Sequence, residues 1–395
     1  MIDFGYYIYK DEPYFDRVQI LDKMLENKDY GSSFHFHFHD EYFASLNWSI
    51  EPEFDIGTLY KLRAQQLRDK YKYLVVQFSG GSDSTQILRT FLDNGIFIDE
   101  IQCFHFETLV SKVSEQELLS GDDSSILLEY KYAAKPFLEK FKEKSPNTKI
   151  SSIDLSKRFT EDLVNGEYAY LGVNKNQTIM ASTVYNTTPK AYNYYSLKYI
   201  EEQYKQRDGI AIVRGFDKPK LYIDKEGDMY FYFNDMIING NRNMIMGDLP
   251  NIGVIENFYW SKDAPLIPIK QSHMVLNQFK RAARLKKVFK LYKGIARDHE
   301  KETLAFSFTR ESFLLERLLS FIIYPNWSMD TYTGTKEEKM ASDFAILEKT
   351  GIKHHGQQVM EERRNFMLNK YRKIENKSLL YTKINTKPYY IGKVE

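Results

Sequence analysis

The chain has 395 residues, long enough for one large domain with an appendage or for two domains. Hydrophobic residues make up 43%, the proportion of a protein with a core of its own, which excludes a disordered chain. The formal net charge of +1 excludes a global field that would draw the protein onto nucleic acid or a membrane.

The first 57 residues read as an N-terminal extension of short strand-like stretches. In Phe34-His35-Phe36-His37-Phe38-His39 the alternation has period two, so His35, His37 and His39 are expected on one strand face. That spacing suits zinc or, with no evident fourth ligand, a plain polar surface. Residues 58–71 are expected to be helical, with Leu59, Leu62 and Leu67 on one apolar face. Tyr73–Phe78 is a nearly continuous apolar run of the kind that buries both faces in a parallel sheet. A Gly- and Ser-rich loop follows, then a helix from Thr85 to Asp93 closed by Gly95. Further strands are expected at 98–107, 149–155 and 209–215, with helices near 125–142 and 191–206. Strand and helix alternating at these intervals predict a doubly wound parallel sheet. Leu221–Ile223 and Met229–Phe233 read as a hairpin around Asp-Lys-Glu-Gly-Asp. Beyond about 260 the chain is expected to be mainly helical, through 269–293, 310–323, 336–349 and 357–374. The divisions are therefore 1–57, 58–260 and 261–395.

The chemistry concentrates in Ser79-Gly80-Gly81-Ser82-Asp83-Ser84. Two glycines let the backbone bring N–H groups close to a phosphate, and Ser79, Ser82, Ser84 and Thr85 add hydroxyls. The helix that follows aims its positive end at the same spot. An acid in such a nest, Asp83, makes sense once a cation joins it, and magnesium accompanies ATP. Neither the Walker lysine spacing nor G-x-G-x-x-G is present. Residue for residue, the loop resembles the S-G-G-x-D-S signature of the PP-loop ATP pyrophosphatases, adenine nucleotide alpha hydrolase-like proteins with a HUP-like sheet. The motif match is complete and strand order extends it over roughly residues 72–220.

The resemblance implies that ATP is cleaved to AMP and pyrophosphate and that an acceptor is activated by adenylation. Ligands of open α/β sheets lie beyond the carboxyl ends of the strands. Phe106 and Glu107 close the second strand, where adenine or ribose would lie. After the fourth strand come Arg214, Gly215, Phe216, Asp217, Lys218, Pro219 and Lys220. There Gly215 would permit a sharp turn, Asp217 would join Asp83 as a metal ligand, and Lys218 and Lys220 would neutralise departing pyrophosphate. An ordinary charged turn is the alternative.

Absences narrow the nucleophile. Ile2 stands where glutamine-dependent asparagine synthetases carry a cysteine. A single cysteine, Cys103, cannot form the zinc site of the deazaguanine nitrile synthases, nor supply the thiols of thiouridine synthetases. Cys103 is expected to be a buried structural thiol. An amide- or amine-forming ligase acting on a small-molecule acceptor, with ammonia or an amine as nucleophile, remains. Phe258–Asp263 with Lys270–His273 would be its acceptor pocket or a seam between domains. Lys280, Arg281, Arg284, Lys286, Lys287, Lys290 and Lys293 form a solvated face or, as in tRNA lysidine synthetases, a contact for nucleic acid. The opening Met-Ile-Asp-Phe-Gly has no leader pattern and no run approaches a membrane span, so a cytoplasmic location is expected.

Overall fold

The computed structural model describes residues 5–112, 129–167, 187–204, 209–235, 237, 254–281, 318–325, 350–353, 355–381 and 384–394. Strands β1 (Tyr6–Tyr9), β2 (Glu12–Tyr14) and β3 (His35–His37) make an antiparallel sheet of order β2-β1-β3, with helix α1 (Arg17–Glu26) between β2 and β3. The Phe/His alternation yields a strand that stops at His37. The Phe38 N–H turns aside to the Asp40 carboxylate (2.9 Å), and His39 enters the left-handed region at φ 49° ahead of helix α2 (Asp40–Ala44). His39 is thus off the strand. His37 is buried with its ring nitrogens each 3.3 Å from Asp40 and Glu41, while His35 is exposed.

Helix α3 (Ile56–Lys70) begins with Asp55, whose carboxylate accepts from the Thr58 N–H. Its buried stripe is Ile56, Leu59, Tyr60, Arg63, Ala64 and Leu67. Leu62, expected on that face, is exposed: at 100° per residue it lies well round the helix from the stripe.

Strand β4 (Tyr73–Gln77), helix α4 (Ser82–Asp93), strand β5 (Glu100–His105) and the short helix α5 (Glu107–Val110) come next. After a π-helical turn (Tyr130–Ala134) the chain forms α6 (Lys135–Lys144), β6 (Lys149–Asp154), α7 (Ser156–Val164), α8 (Thr187–Tyr204) and β7 (Ile210–Arg214). Strands β8 (Lys220–Ile223) and β9 (Asp228–Tyr232) form the expected hairpin, and β10 (Val254–Asn257) is a strand that periodicity did not reveal. The five parallel strands run in the order β10-β7-β4-β5-β6. The chain therefore enters in the middle, moves outward to β6, and returns past β4 to β7 and β10. Helices cover both faces. Leu74, Val76, Ala211 and Val213 face the core shared with α3 and α4, while Val75, Ile210 and Ile212 pack on Leu197, Ile200 and Tyr204 of α8. The architecture is α/β with a doubly wound parallel sheet.

Helix α9 (Leu266–Arg281) packs on α3, and helices α10 (Gly356–Lys370) and α11 (Ser378–Tyr381) precede strand β11 (Tyr389–Lys393), which completes a sheet of order β11-β9-β8. Residues 318–323 are also helical. Much of the aromatic content lies in the seam between the N-terminal layer, this second sheet and β10. Trp48 stacks on Tyr389 (4.6 Å) and Phe231 (4.9 Å), and Phe233 meets Trp260 edge-on (5.3 Å). Arg17, wholly buried, binds Asp235 and the Leu379 carbonyl, and the Tyr7 hydroxyl joins them on Asp235 (2.8 Å). The expected helices over 282–293, 310–317 and 336–349, with Arg284, Lys286, Lys287, Lys290 and Lys293, lie outside the described residues. Among the described residues no helix is long and apolar enough to cross a membrane.

Candidate functional site

Because β5 follows β4 on one side and β7 flanks it on the other, the loops after β4 and β7 part at the middle of the sheet. In open α/β sheets that is the crevice where ligands settle. The Ser79–Gly81 loop leads from β4 into α4 there, and Gly215–Pro219 leaves β7 beside it.

The hydroxyls of the loop brace it from within. Ser79 Oγ accepts from the Gly81 N–H (3.2 Å) and lies 3.3 Å from Ser84 Oγ. Ser84 Oγ donates to the Gly81 carbonyl (3.2 Å) and accepts from the Ser79 N–H (3.3 Å), and Thr85 Oγ1 reaches the Gly80 carbonyl at 3.5 Å. The first intrahelical bond of α4 runs from the Thr85 N–H to the Gly81 carbonyl (3.0 Å). Among the described residues, the N–H groups of Ser82, Asp83 and Ser84 have no acceptor. A helix start leaves such donors open by construction, and they carry the positive end of the helix dipole.

Of the two loop glycines, Gly80 is required by backbone conformation and close approach, while Gly81 faces only side-chain ends. Gly80 has φ +94°, and a Cβ on it would fall 3.0 Å from the Ala134 nitrogen and 3.2 Å from Ala133 Cβ, in the π-helical turn. A Cβ on Gly81 would fall 3.1 Å from Glu129 Oε1. The turn is held by Tyr130, whose ring stacks on His105 at 3.7 Å and whose hydroxyl lies 2.7 Å from Ser152 Oγ. His105 Nδ1 accepts from the Glu107 N–H (3.2 Å), which leaves the ring proton on Nε2, 2.9 Å from Ser152 Oγ. Burial lowers the His105 pKa, so the neutral ring prevails. Gly215 has a related cause. Its φ is not left-handed, and a Cβ there would come within 3.1 Å of the Asp83 carbonyl carbon and the Ser84 nitrogen. Contact with the first turn of α4, rather than a sharp turn, demands the glycine.

One lysine–aspartate pair crosses the crevice and a second lies within the segment that follows β7. Lys218, nearly enclosed at 7% side-chain exposure, places Nζ 2.6 Å from Asp83 Oδ1. Asp217 accepts from the Lys218 N–H (2.6 Å) and pairs with Lys220 (2.9 Å). The fold thus joins Lys218, not Asp217, to Asp83. Arg214 Nε donates to Gln77 Oε1 (2.5 Å) and ties the ends of β7 and β4 together. Among the described residues no three His, Cys, Asp or Glu side chains cluster in a way that would hold a metal ion.

Two contributors escaped the sequence, Tyr324 and Ser320, and a third, Tyr259, belongs to the segment expected as an acceptor pocket or a seam. The Tyr324 hydroxyl donates to Asp83 Oδ1, Ser320 Oγ lies 3.2 Å from Ser82 Oγ, and the Tyr259 hydroxyl donates to the Asp83 carbonyl (2.8 Å). Tyr259 is delivered by β10, whose pairing continues in the Phe258 N–H to Arg214 carbonyl bond (2.9 Å). Burial, and then the Asp83 charge, raise the Tyr324 pKa well above normal, so its hydroxyl stays a donor. Phe258, Tyr259 and Trp260 are buried; Trp260, Ser261, Lys262 and Asp263 line a separate cleft with Phe38, His39 and Lys70.

Phe106 is buried on Phe159 (5.5 Å), and Glu107 pairs near the surface with Lys135 (2.9 Å). Cys103 is fully buried in β5 and its pKa is raised by burial.

No protein-family model and no curated protein matches the chain. The site therefore stands on its own geometry: a helix start with open N–H donors, a buried ammonium, and two carboxylates at the parting of a parallel sheet. Its donors and carboxylates are of the kinds that an anion carrying several charges and a cation would each require.

Proposed function

We propose that the chain is an ATP-using enzyme of the PP-loop type, which cleaves ATP to AMP and pyrophosphate and adenylates a small-molecule acceptor for attack by ammonia or an amine. One observation carries the reading: the complete Ser-Gly-Gly-Ser-Asp-Ser sequence lies where the two halves of the parallel sheet part, with open N–H groups at Ser82, Asp83 and Ser84. Those donors would bind the pyrophosphate portion. Lys218 would stabilise the charge that grows on it as the α–β bond breaks. Asp83 would hold magnesium, which supplies charge neutralisation on the phosphates, whereas Asp217, expected beside it, has both oxygens engaged by the Lys218 N–H and Lys220. The residues fit such an ion through Asp83, whose second carboxylate oxygen has no partner among the described residues. Glu107, just past the carboxyl end of β5, is the candidate for the adenosine half, whereas the Phe106 ring is taken up in the core against Phe159.

A binding-only protein is a second reading, and the Asp83–Lys218 pair favours it, because the ammonium is already neutralised within the site. Incubation with ATP radiolabelled at the α and γ phosphates separates the two. AMP and pyrophosphate are expected. ADP and orthophosphate would refute the α–β assignment, and binding without products across a panel of acceptors and amines would establish the second reading.

A further inference from the structure

Asp83 is held from two parts of the chain far from it in sequence. Lys218 Nζ, at 2.6 Å, and the Tyr324 hydroxyl both reach Oδ1, and Ser82 Oγ lies 3.5 Å from the same atom. Oδ2 accepts no hydrogen bond among the described residues. The main chain is held as well, since the Tyr259 hydroxyl donates to the Asp83 carbonyl. With Oδ1 occupied by two donors, a hard cation can take Oδ2 without breaking either bond, as magnesium does when bound through one carboxylate oxygen.

Tyr324 is itself fixed. Its ring lies 5.7 Å from that of Tyr259, and its N–H donates to the Ser320 carbonyl (3.1 Å). The neighbouring Ile323 carbonyl accepts from Tyr60 of α3 (3.0 Å), and Tyr60 in turn accepts from Gln271 of α9 (2.9 Å). A rigid donor on a ligand's spare oxygen is how outer groups orient a metal-binding carboxylate. We propose that Tyr324 is a positioning residue for Asp83, fixing the carboxylate so that its free oxygen receives the divalent cation of a bound metal–nucleotide. The inference rests on the nucleotide reading above. It also makes the segment 318–325 part of a site whose motif lies in the first quarter of the sequence.

The test uses manganese as a spectroscopic stand-in for magnesium and α,β-methylene-ATP as an uncleaved nucleotide, on the full chain. Paramagnetic resonance would follow manganese binding in the wild type, Tyr324→Phe, Asp83→Asn and the double variant. Tyr324→Phe keeps the ring and its packing, so a folded protein is expected. Manganese affinity in the presence of the nucleotide should fall by about tenfold or more, the scale of losing an outer-shell partner. Nucleotide affinity in chelator should stay within twofold of wild type. In the Asp83→Asn background the tyrosine change should add nothing, since the hydroxyl acts through that carboxylate. Unchanged manganese affinity, additive losses, or equal weakening with and without metal would overturn the assignment. If the wild type binds the nucleotide neither with manganese nor without it, the nucleotide reading falls and takes the Tyr324 role with it. If the wild type binds and Tyr324→Phe binds as well, the Tyr324 role alone falls.

Discussion

Replacing Gly80 by alanine tests whether the phosphate-type loop is truly seated against the π-helical turn. Two penalties act. Gly80 has φ +94°, where an L-residue costs roughly 1–2 kcal/mol. The new Cβ would also lie 3.0, 3.1 and 3.2 Å from Ala134 N, Ala134 Cβ and Ala133 Cβ. None of these atoms is the end of a flexible side chain, so the turn itself must shift, and overpacking of that kind costs about 1–3 kcal/mol. Gly95→Ala separates the terms, because Gly95 has φ +63° with nothing within 4 Å of the added Cβ. It should cost only the backbone part, about 1 kcal/mol. Urea midpoints read at a common slope give both values. Gly80→Ala should exceed Gly95→Ala by at least about 1 kcal/mol and should also weaken ATP binding, which Gly95→Ala leaves alone. Equal losses in the two variants would show that Ala133 and Ala134 do not press on the loop.

Lys218→Ala should lower pyrophosphate release by on the order of 10²-fold with a smaller change in calorimetric ATP affinity, and unaltered turnover would remove it from the chemistry. Cys103→Ser should leave turnover largely intact, and the wild-type thiol should resist an aromatic disulfide reagent until urea unfolds the chain; fast labelling of native protein would contradict its burial. His105 has its pKa lowered from 6.5 by burial, so the stability it contributes is present above about pH 6.5 and is lost as pH falls below that value. The stability advantage of wild type over His105→Gln in urea melts should therefore shrink between pH 7 and pH 5, and a gap that widens on acidification would reverse the sign.

β4 and β7 were legible because central parallel strands buried on both faces leave nearly unbroken apolar runs, whereas the half-exposed edge strand β6, Lys-Ile-Ser-Ser-Ile-Asp, showed only through its place in the strand–helix alternation. β10 left no such run. Glu256 sits in it, and its charge is absorbed by Arg63 (2.7 Å), Lys70 (3.0 Å) and Tyr71, contacts that only the folded chain brings together. The loop was legible for a local reason, since its glycines, hydroxyls and acid are contiguous. Tyr259 and Tyr324 reach Asp83 from 176 and 241 residues away. Tyr324 beside Pro325 carries the signature of a helix stop, and nothing in that stretch marks a carboxylate partner. The burial of Cys103 was readable from its apolar neighbours, whereas the departure of His39 from its strand depended on Asp40 capturing a backbone N–H.

The enclosed guanidinium of Arg17 also says something about the order in which the molecule assembles. Its acceptors lie 218 residues on, at Asp235, and 362 residues on, at Leu379. Until both arrive, burying the inner side of α1 would strand a cation in an apolar interior, at a cost of several kcal/mol. The parallel sheet has no such dependence, because its strands find partners within residues 73–257. The N-terminal layer, first in the sequence, therefore docks at the entropic cost of closing very long loops.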